Sequence, residues 1–152
     1  MDELQKHAGK FVSMQDEYSL ACRKNEYDLT ELAQELHLTP MTWGSLGQGI
    51  LTGKYTAEST FGADDRRSRE IYVNFHGKKL QKNLKIVDVM RPIAEHHNVS
   101  VSAVAVRFIL EHLKDSVVLV GAKRPTQILG TIEAMGWTLS PSELAELDEV
   151  ST

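Results

Sequence analysis

Ser116-Val117-Val118-Leu119-Val120-Gly121-Ala122-Lys123-Arg124-Pro125 is an uncharged, β-branched run that stops at a glycine, passes two cations and meets a proline. Its first five residues suit a buried strand. Pro125 suits the first position of a helix, where a missing N–H is no loss. The stretch therefore predicts strand, tight turn and helix. Backbone N–H groups at such a turn face an anion together with the helix dipole, and Lys123 adds a full charge. The same residues also read as an ordinary β–α turn with solvated cations.

Working outward, the pattern repeats. Phe11, Val12, Ser13 and Met14 predict a first buried strand, ended by Gln15. Asp28 with Glu31 three residues on predicts a capped helix buried through Leu29, Leu32, Ala33 and Leu36. Thr39 to Trp43 predicts a second strand, with Pro40 near its start. Helices follow through Leu80, Leu84, Val87, Met90, Ile93 and Ala94, bent by Pro92, and from a Ser100 or Ser102 cap through Leu113. Ser140-Pro141-Ser142-Glu143 opens a last helix. Leu4 to Ala8 reads as a helix tail. Three strands separated by helices predict an α/β fold with a parallel sheet in one domain spanning residues 1–152. Between Gly44 and Phe75 no periodicity appears, and a loop that long is functional or disordered.

The chain's 152 residues carry 17 basic and 21 acidic side chains, a net charge of −4, which argues against nucleic acid as the main partner. The single cysteine, Cys22, cannot form an internal disulfide and suits a cytoplasmic setting. No apolar run approaches a membrane span, and Met1 to Lys10 lacks the apolar segment of a signal peptide.

The candidate chemistry gathers after the strands. Trp43-Gly44-Ser45-Leu46-Gly47-Gln48-Gly49 offers an indole for a planar ring and a glycine backbone for close approach, or else a core Trp followed by a flexible loop. Gln15 can donate and accept hydrogen bonds to a carboxamide. His96 and His97 point to different sides of a helix, so no metal-ligand pair is expected there. Lys78, Lys79, Lys82 and Lys85 read as a solvated face, Cys22 reads as inert, and no nucleophile-elbow sequence is present. A helix-turn-helix over Leu32 to Trp43 is the alternative of another class, but its second helix would run through Gly44, Gly47 and Gly49.

In order and spacing these motifs resemble the carboxy-terminal half of the aldo-keto reductase family. Phe11 to Leu20, with Gln15-Asp16-Glu17-Tyr18, is similar to the family's sixth strand. Trp43 to Tyr55 resembles the seventh strand and its cofactor loop, over residues 44–75. Val120 to Gln127 resembles the eighth strand and phosphate-binding helix start, and Ser140 to Val150 the closing helix. The resemblance implies part of a (β/α)8 barrel that binds NADP(H), and hydride transfer to a small aldehyde or ketone when the amino-terminal half is present. It implies that Gln15 holds the carboxamide and Trp43 stacks on the nicotinamide. The backbone of Gly44, Ser45, Leu46, Gly47, Gln48 and Gly49, with Lys54, would line the pyrophosphate, helped by Arg66, Arg67 or Arg69. Gly121, Ala122 and Lys123 would meet the 2′-phosphate, and Gln127 the adenosine. The Trp and the Gly-Ala-Lys turn look more like bacterial reductases and potassium-channel β-subunits. Where the family places Glu-Asn after Gln127, this chain has Gly130 and Thr131. No part of the chain matches the strands that carry the family's Asp, Tyr, Lys and His tetrad, so no catalytic residue is expected. A fragment, a split gene product and a half-barrel that folds alone all stay open, as does a non-catalytic nucleotide-sensing or interaction module.

Three strands of an unclosed barrel expose two edges and an inner face, expected to carry Val12, Met14, Thr42, Val118 and Val120 according to the register each strand takes. A second copy, the amino-terminal half or the Gly44–Phe75 loop folded inward would cover it, and a homodimer or higher oligomer is the expected solution.

Overall fold

The computed structural model describes residues 6–7 and 9–152. The helix tail expected at Leu4 to Ala8 lies outside the described residues, apart from Lys6 and His7. Three strands, β1 (Ser13–Glu17), β2 (Thr39–Trp43) and β3 (Val117–Val118), form a parallel sheet in the order β1-β2-β3. Gln15 aligns with Met41, and Met41 with Val117, while Glu17 aligns with Trp43. Thr39 N–H donates to Val12 C=O at 2.9 Å and Leu119 N–H to Thr42 C=O at 2.8 Å. Odd-numbered residues of β2 thus bond to β1 and even-numbered ones to β3. Pro40, which has no N–H, faces β3 before that strand's pairing begins at Met41.

Side-chain parity corrects the expected open face. Met14, Thr42 and Val118 turn toward the helices: Thr42 is fully buried, and the other two pack on the core. Val12 lies ahead of β1 and is 81% exposed. The open side carries the other parity: Gln15, Met41, Trp43 and Val117. A shift of one residue exchanges the two faces. β1 also starts later and runs further than its apolar residues predict, because Asp16 finds partners in Asn25 Nδ2, at 2.8 Å, and Glu17 N–H, at 2.7 Å.

Helix α1 runs as a π turn, Asp28–Leu32, into an α turn, Ala33–Glu35. Asp28 is not its cap: the chain is already helical at Glu26, because the loop before it is anchored through Arg23. Helices α2 (Gly77–His97), α3 (Val101–His112) and α5 (Pro141–Ser151) enclose the core, in which Ile86, Met90, Phe108, Ile109 and Leu147 are fully buried. Ser100 caps α3, its Oγ accepting from Ala103 N–H at 3.2 Å. Ser140 and Glu143 form the expected capping box of α5. Helix α4 (Pro125–Ile132) buries no residue, leaving Ile128, Leu129 and Ile132 about half exposed or more. Residues 39–43, which a helix-turn-helix would need in its turn and second helix, form β2 instead. Nor is the lysine row simply solvated: Lys79 Nζ donates to Ala21 C=O at 2.5 Å and Lys82 Nζ to Thr152 C=O at 2.9 Å. His96 and His97, placed on different sides of their helix by the sequence reading, both reach Glu143. Among the described residues no helix is long and apolar enough to cross a membrane.

One side chain ties the two ends of the described fold together. Arg23, 9% exposed, donates to Glu26, to Asp148 Oδ1 at 2.7 Å and to Ser151 Oγ at 2.6 Å. Its guanidinium lies over the Tyr18 and Phe108 rings, 5.7 and 5.1 Å from their centroids. Tyr18 OH donates to Glu26 at 2.7 Å, and burial with that bond pushes the phenol upward. Burial would also raise Glu26, but hydrogen bonds from Arg23 and Tyr18 prevail and hold its carboxyl at about 2. A carboxyl held below its ordinary 4.5 stabilises the fold above that pH, and the benefit is lost as pH falls toward about 2. Arg23→Met should therefore cost about 2–3 kcal/mol at neutral pH, less than a fully buried pair because Asp148 is half exposed. In urea titrations the gap between wild type and Arg23→Met should narrow between pH 4.5 and 2. A gap independent of pH would remove Glu26 as the charge that Arg23 serves.

Candidate functional site

In a parallel sheet all strands end on one side, so β1, β2 and β3 deliver their following loops to one rim. Gln15 lies mid-strand in β1 rather than at its end, exposed on the open face. Trp43, 44% exposed, ends β2 on that same face, two residue pairs beyond the Gln15–Met41 alignment. The amide and the indole therefore share one surface.

The chain turns sharply after Trp43. Gly44 has φ +70°, and a Cβ there would lie 3.2 Å from Glu17 Cγ. At Gly47, φ +55°, a Cβ would lie 2.9 Å from both Ala21 Cβ and Ile50 Cγ2, so only glycine fits. Gly47 N–H donates to Gly44 C=O at 2.7 Å and Gly49 N–H to Leu46 C=O at 2.9 Å, which commits both donors to shaping the turn. Ser45, buried, donates its hydroxyl to Leu119 C=O at 2.8 Å and fastens the turn to the segment after β3. Lys54 is exposed just beyond it. A buried asparagine pair underlies the turn: Asn83 Nδ2 donates to Asn74 C=O at 3.1 Å, and Asn74 Nδ2 reaches Gly47 C=O at 3.4 Å. Sequence reasoning missed this pair. Its one signal was a polar Asn83 at core spacing from Ile86, Val87 and Met90.

Residues 44–75 are ordered by a clamp rather than left irregular. The Tyr55, Phe61 and Phe75 rings pack within 5.2–5.8 Å of one another. The Arg67 guanidinium lies over all three and bonds Asp65 and Tyr55 OH. Among the three candidate arginines, Arg67 is thus engaged in structure. Arg66 and Arg69 instead line an open cleft of about 400 Å³ with Gln48, Ile71 and Tyr72. Hydrogen bonds from Arg67 hold the Asp65 carboxyl at about 2, and Lys123 adds a smaller pull. The loop's charged end therefore lies near the β3–α4 turn.

At that turn Gly121, Ala122, Lys123 and Arg124 are all exposed. Gln127 Oε1 accepts from Lys123 N–H at 2.7 Å and Arg124 N–H at 3.1 Å. Both backbone donors at the start of α4 are thus held by a side-chain oxygen. Cys22 takes no part: burial first, then Glu17, pushes its thiol upward, away from the reactive thiolate.

Known proteins are similar to this chain. The model of the "Aldo/keto reductase family" matches residues 1–152. An aldo-keto reductase of Bacillus subtilis is 31% identical over 139 residues, covering 91% of this chain and 41% of its own length. A probable voltage-gated potassium channel subunit beta of Oryza sativa is 33% identical over 123 residues, covering 80% of this chain and 37% of its own. The structure of a glycerol dehydrogenase from Gluconobacter oxydans superposes with a TM-score of 0.85 at 29% identity, over 98% of this chain and 45% of that one. The chain spans less than half the length of these relatives. With the family model matching residues 1–152, the chain belongs to the aldo/keto reductase family.

Proposed function

We propose that this chain is the carboxy-terminal, NADP(H)-binding part of a (β/α)8 barrel whose complete form reduces aldehydes or ketones. The observation that carries this reading is the shared face of Gln15 and Trp43, on the rim where Lys123 and the Arg66–Arg69 cleft also lie. The residues fit the cofactor's parts. Gln15 is free to face a carboxamide, and Trp43 presents half its surface for stacking. Lys54, Arg66 and Arg69 supply cations for the pyrophosphate, with Gln48 in the same cleft. Lys123 meets the 2′-phosphate once Gln127 swings from its capping position, which frees its amide for the adenosine. Bound there, the cofactor supplies the hydride. The general acid that protonates the carbonyl oxygen belongs to the missing half, so this chain alone consumes no NADPH with any carbonyl.

The open face has to be covered, because Trp43 and Val117 on it are each about 40% exposed, and Leu119, Val120 and α4 add further uncovered apolar surface. In the isolated chain we assign the cover to a second copy. The likeness to a channel β subunit favours a second reading, a non-catalytic nucleotide-sensing module on the same scaffold. Carbonyl turnover after addition of the missing half separates the two.

NADPH should bind more tightly than NADH, and Lys123→Ala should cut that preference by roughly tenfold, the low end for a charge-assisted contact because Lys123 is exposed. Fluorescence titration with both cofactors reads the ratio; an unchanged ratio takes Lys123 out of the site. Sedimentation over a concentration series should show a dimer at micromolar concentration. A monomer that unfolds cooperatively would mean that no second copy covers the face.

A further inference from the structure

The last turn of α2 and the first turn of α5 meet at three side chains outside the site described above. His96 Nδ1 lies 3.1 Å from Glu143 Oε1, and His97 Nε2 lies 3.0 Å from the same oxygen. The three donor atoms all lie within 4.8 Å of one another. Metal–nitrogen and metal–oxygen bonds of about 2.0–2.1 Å in a tetrahedron put neighbouring ligand atoms about 3.3 Å apart, so side-chain adjustment around Glu143 would admit an ion. Two of the three ligands, His97 and Glu143, are braced from behind. The His97 ring stacks on Trp137 with centroids 4.3 Å apart, and Trp137 Nε1 donates to Glu133 C=O at 2.6 Å. Glu143 Oε2 accepts Ser140 N–H at 2.7 Å and lies 3.1 Å from His97 Nε2, while Oε1 is the oxygen that both histidines reach. Such bracing orients metal ligands in known sites. The His96 side chain is 71% exposed, giving entry from solvent and room for a water ligand.

We propose that His96, His97 and Glu143 form a surface site for one borderline divalent cation, Zn²⁺ above all, that joins the end of α2 to the start of α5. Two imidazoles and one carboxylate are a donor set that suits Zn²⁺ and disfavours Mg²⁺ or Ca²⁺, which prefer oxygen alone. The adjacent histidines alone could not do this from one helix; the third ligand comes from a helix 46 residues further on. The other cluster of this kind, Glu26, His112 and Asp148, already holds the Arg23 guanidinium between its acids and offers a cation no place.

Titration of the full chain with Zn²⁺, by competition with a chromophoric chelator, should show one ion bound per chain in the micromolar range. His96→Ala, His97→Ala and Glu143→Gln should each weaken binding at least tenfold, while His112→Ala leaves it unchanged. His96 is exposed, so its alanine variant keeps the fold, which circular dichroism checks. Co²⁺ in place of Zn²⁺ should give an intense visible absorption that the His96 variant loses. No Zn²⁺ binding below roughly 1 mM, about 4 kcal/mol of affinity, overturns the proposal. So does binding that His96→Ala and His97→Ala leave intact.

Discussion

Pairing of β1 with β2 and of β2 with β3 allots alternate side chains to opposite faces, and everything else in this chain follows from that allotment. Thr42 and its neighbours of like parity go to the helices. Gln15, Met41, Trp43 and Val117 go to the open side, so groups able to hold a flat heteroaromatic ring stand together without touching the core. A register one residue different would bury the amide and indole and expose the core's own residues. The rim then receives the two loops at the ends of β2 and β3, fastened to each other by Ser45 on Leu119.

Two arginines do comparable structural work in separate clusters. Arg23 gathers Glu26, Asp148 and Ser151 and so closes the last helix onto the loop after β1. Arg67 sits on three aromatic rings and turns a glycine-rich, highly charged stretch into an ordered wall. Both use a planar cation that stacks and bonds at once, which a lysine could not replace. With Arg67 so engaged, Arg66 and Arg69 are left to line the cleft.

Local chemistry was well legible in the sequence. β2 spans the predicted residues, because Thr39 to Trp43 is bounded by a helix end and a glycine. Proline and serine marked the starts of α4 and α5, and a cap marked α3. What failed depended on partners far along the chain. Asp28 looks like a cap until the contacts of Arg23 start its helix earlier. Phe11 and Val12 look like strand, yet pairing begins only with the C=O of Val12. The face assignment failed because apolar content alone favours burying valine and exposing glutamine on neither side in particular; only the register decides. Arg67 and the Asn74–Asn83 pair are invisible for the same reason.

The central claim is that the face carrying Gln15 and Trp43 is the cofactor face, and Trp43 itself can report on it. With Trp137 replaced by phenylalanine, Trp43 is the one remaining tryptophan, as the chain has two. Reduced nicotinamide absorbs where indole emits, so a cofactor stacked on Trp43 must quench its fluorescence and emit in turn. Saturable loss of Trp43 emission with sensitised NADPH emission is expected. Binding of NADPH, seen by equilibrium dialysis, that leaves Trp43 emission unchanged would contradict it.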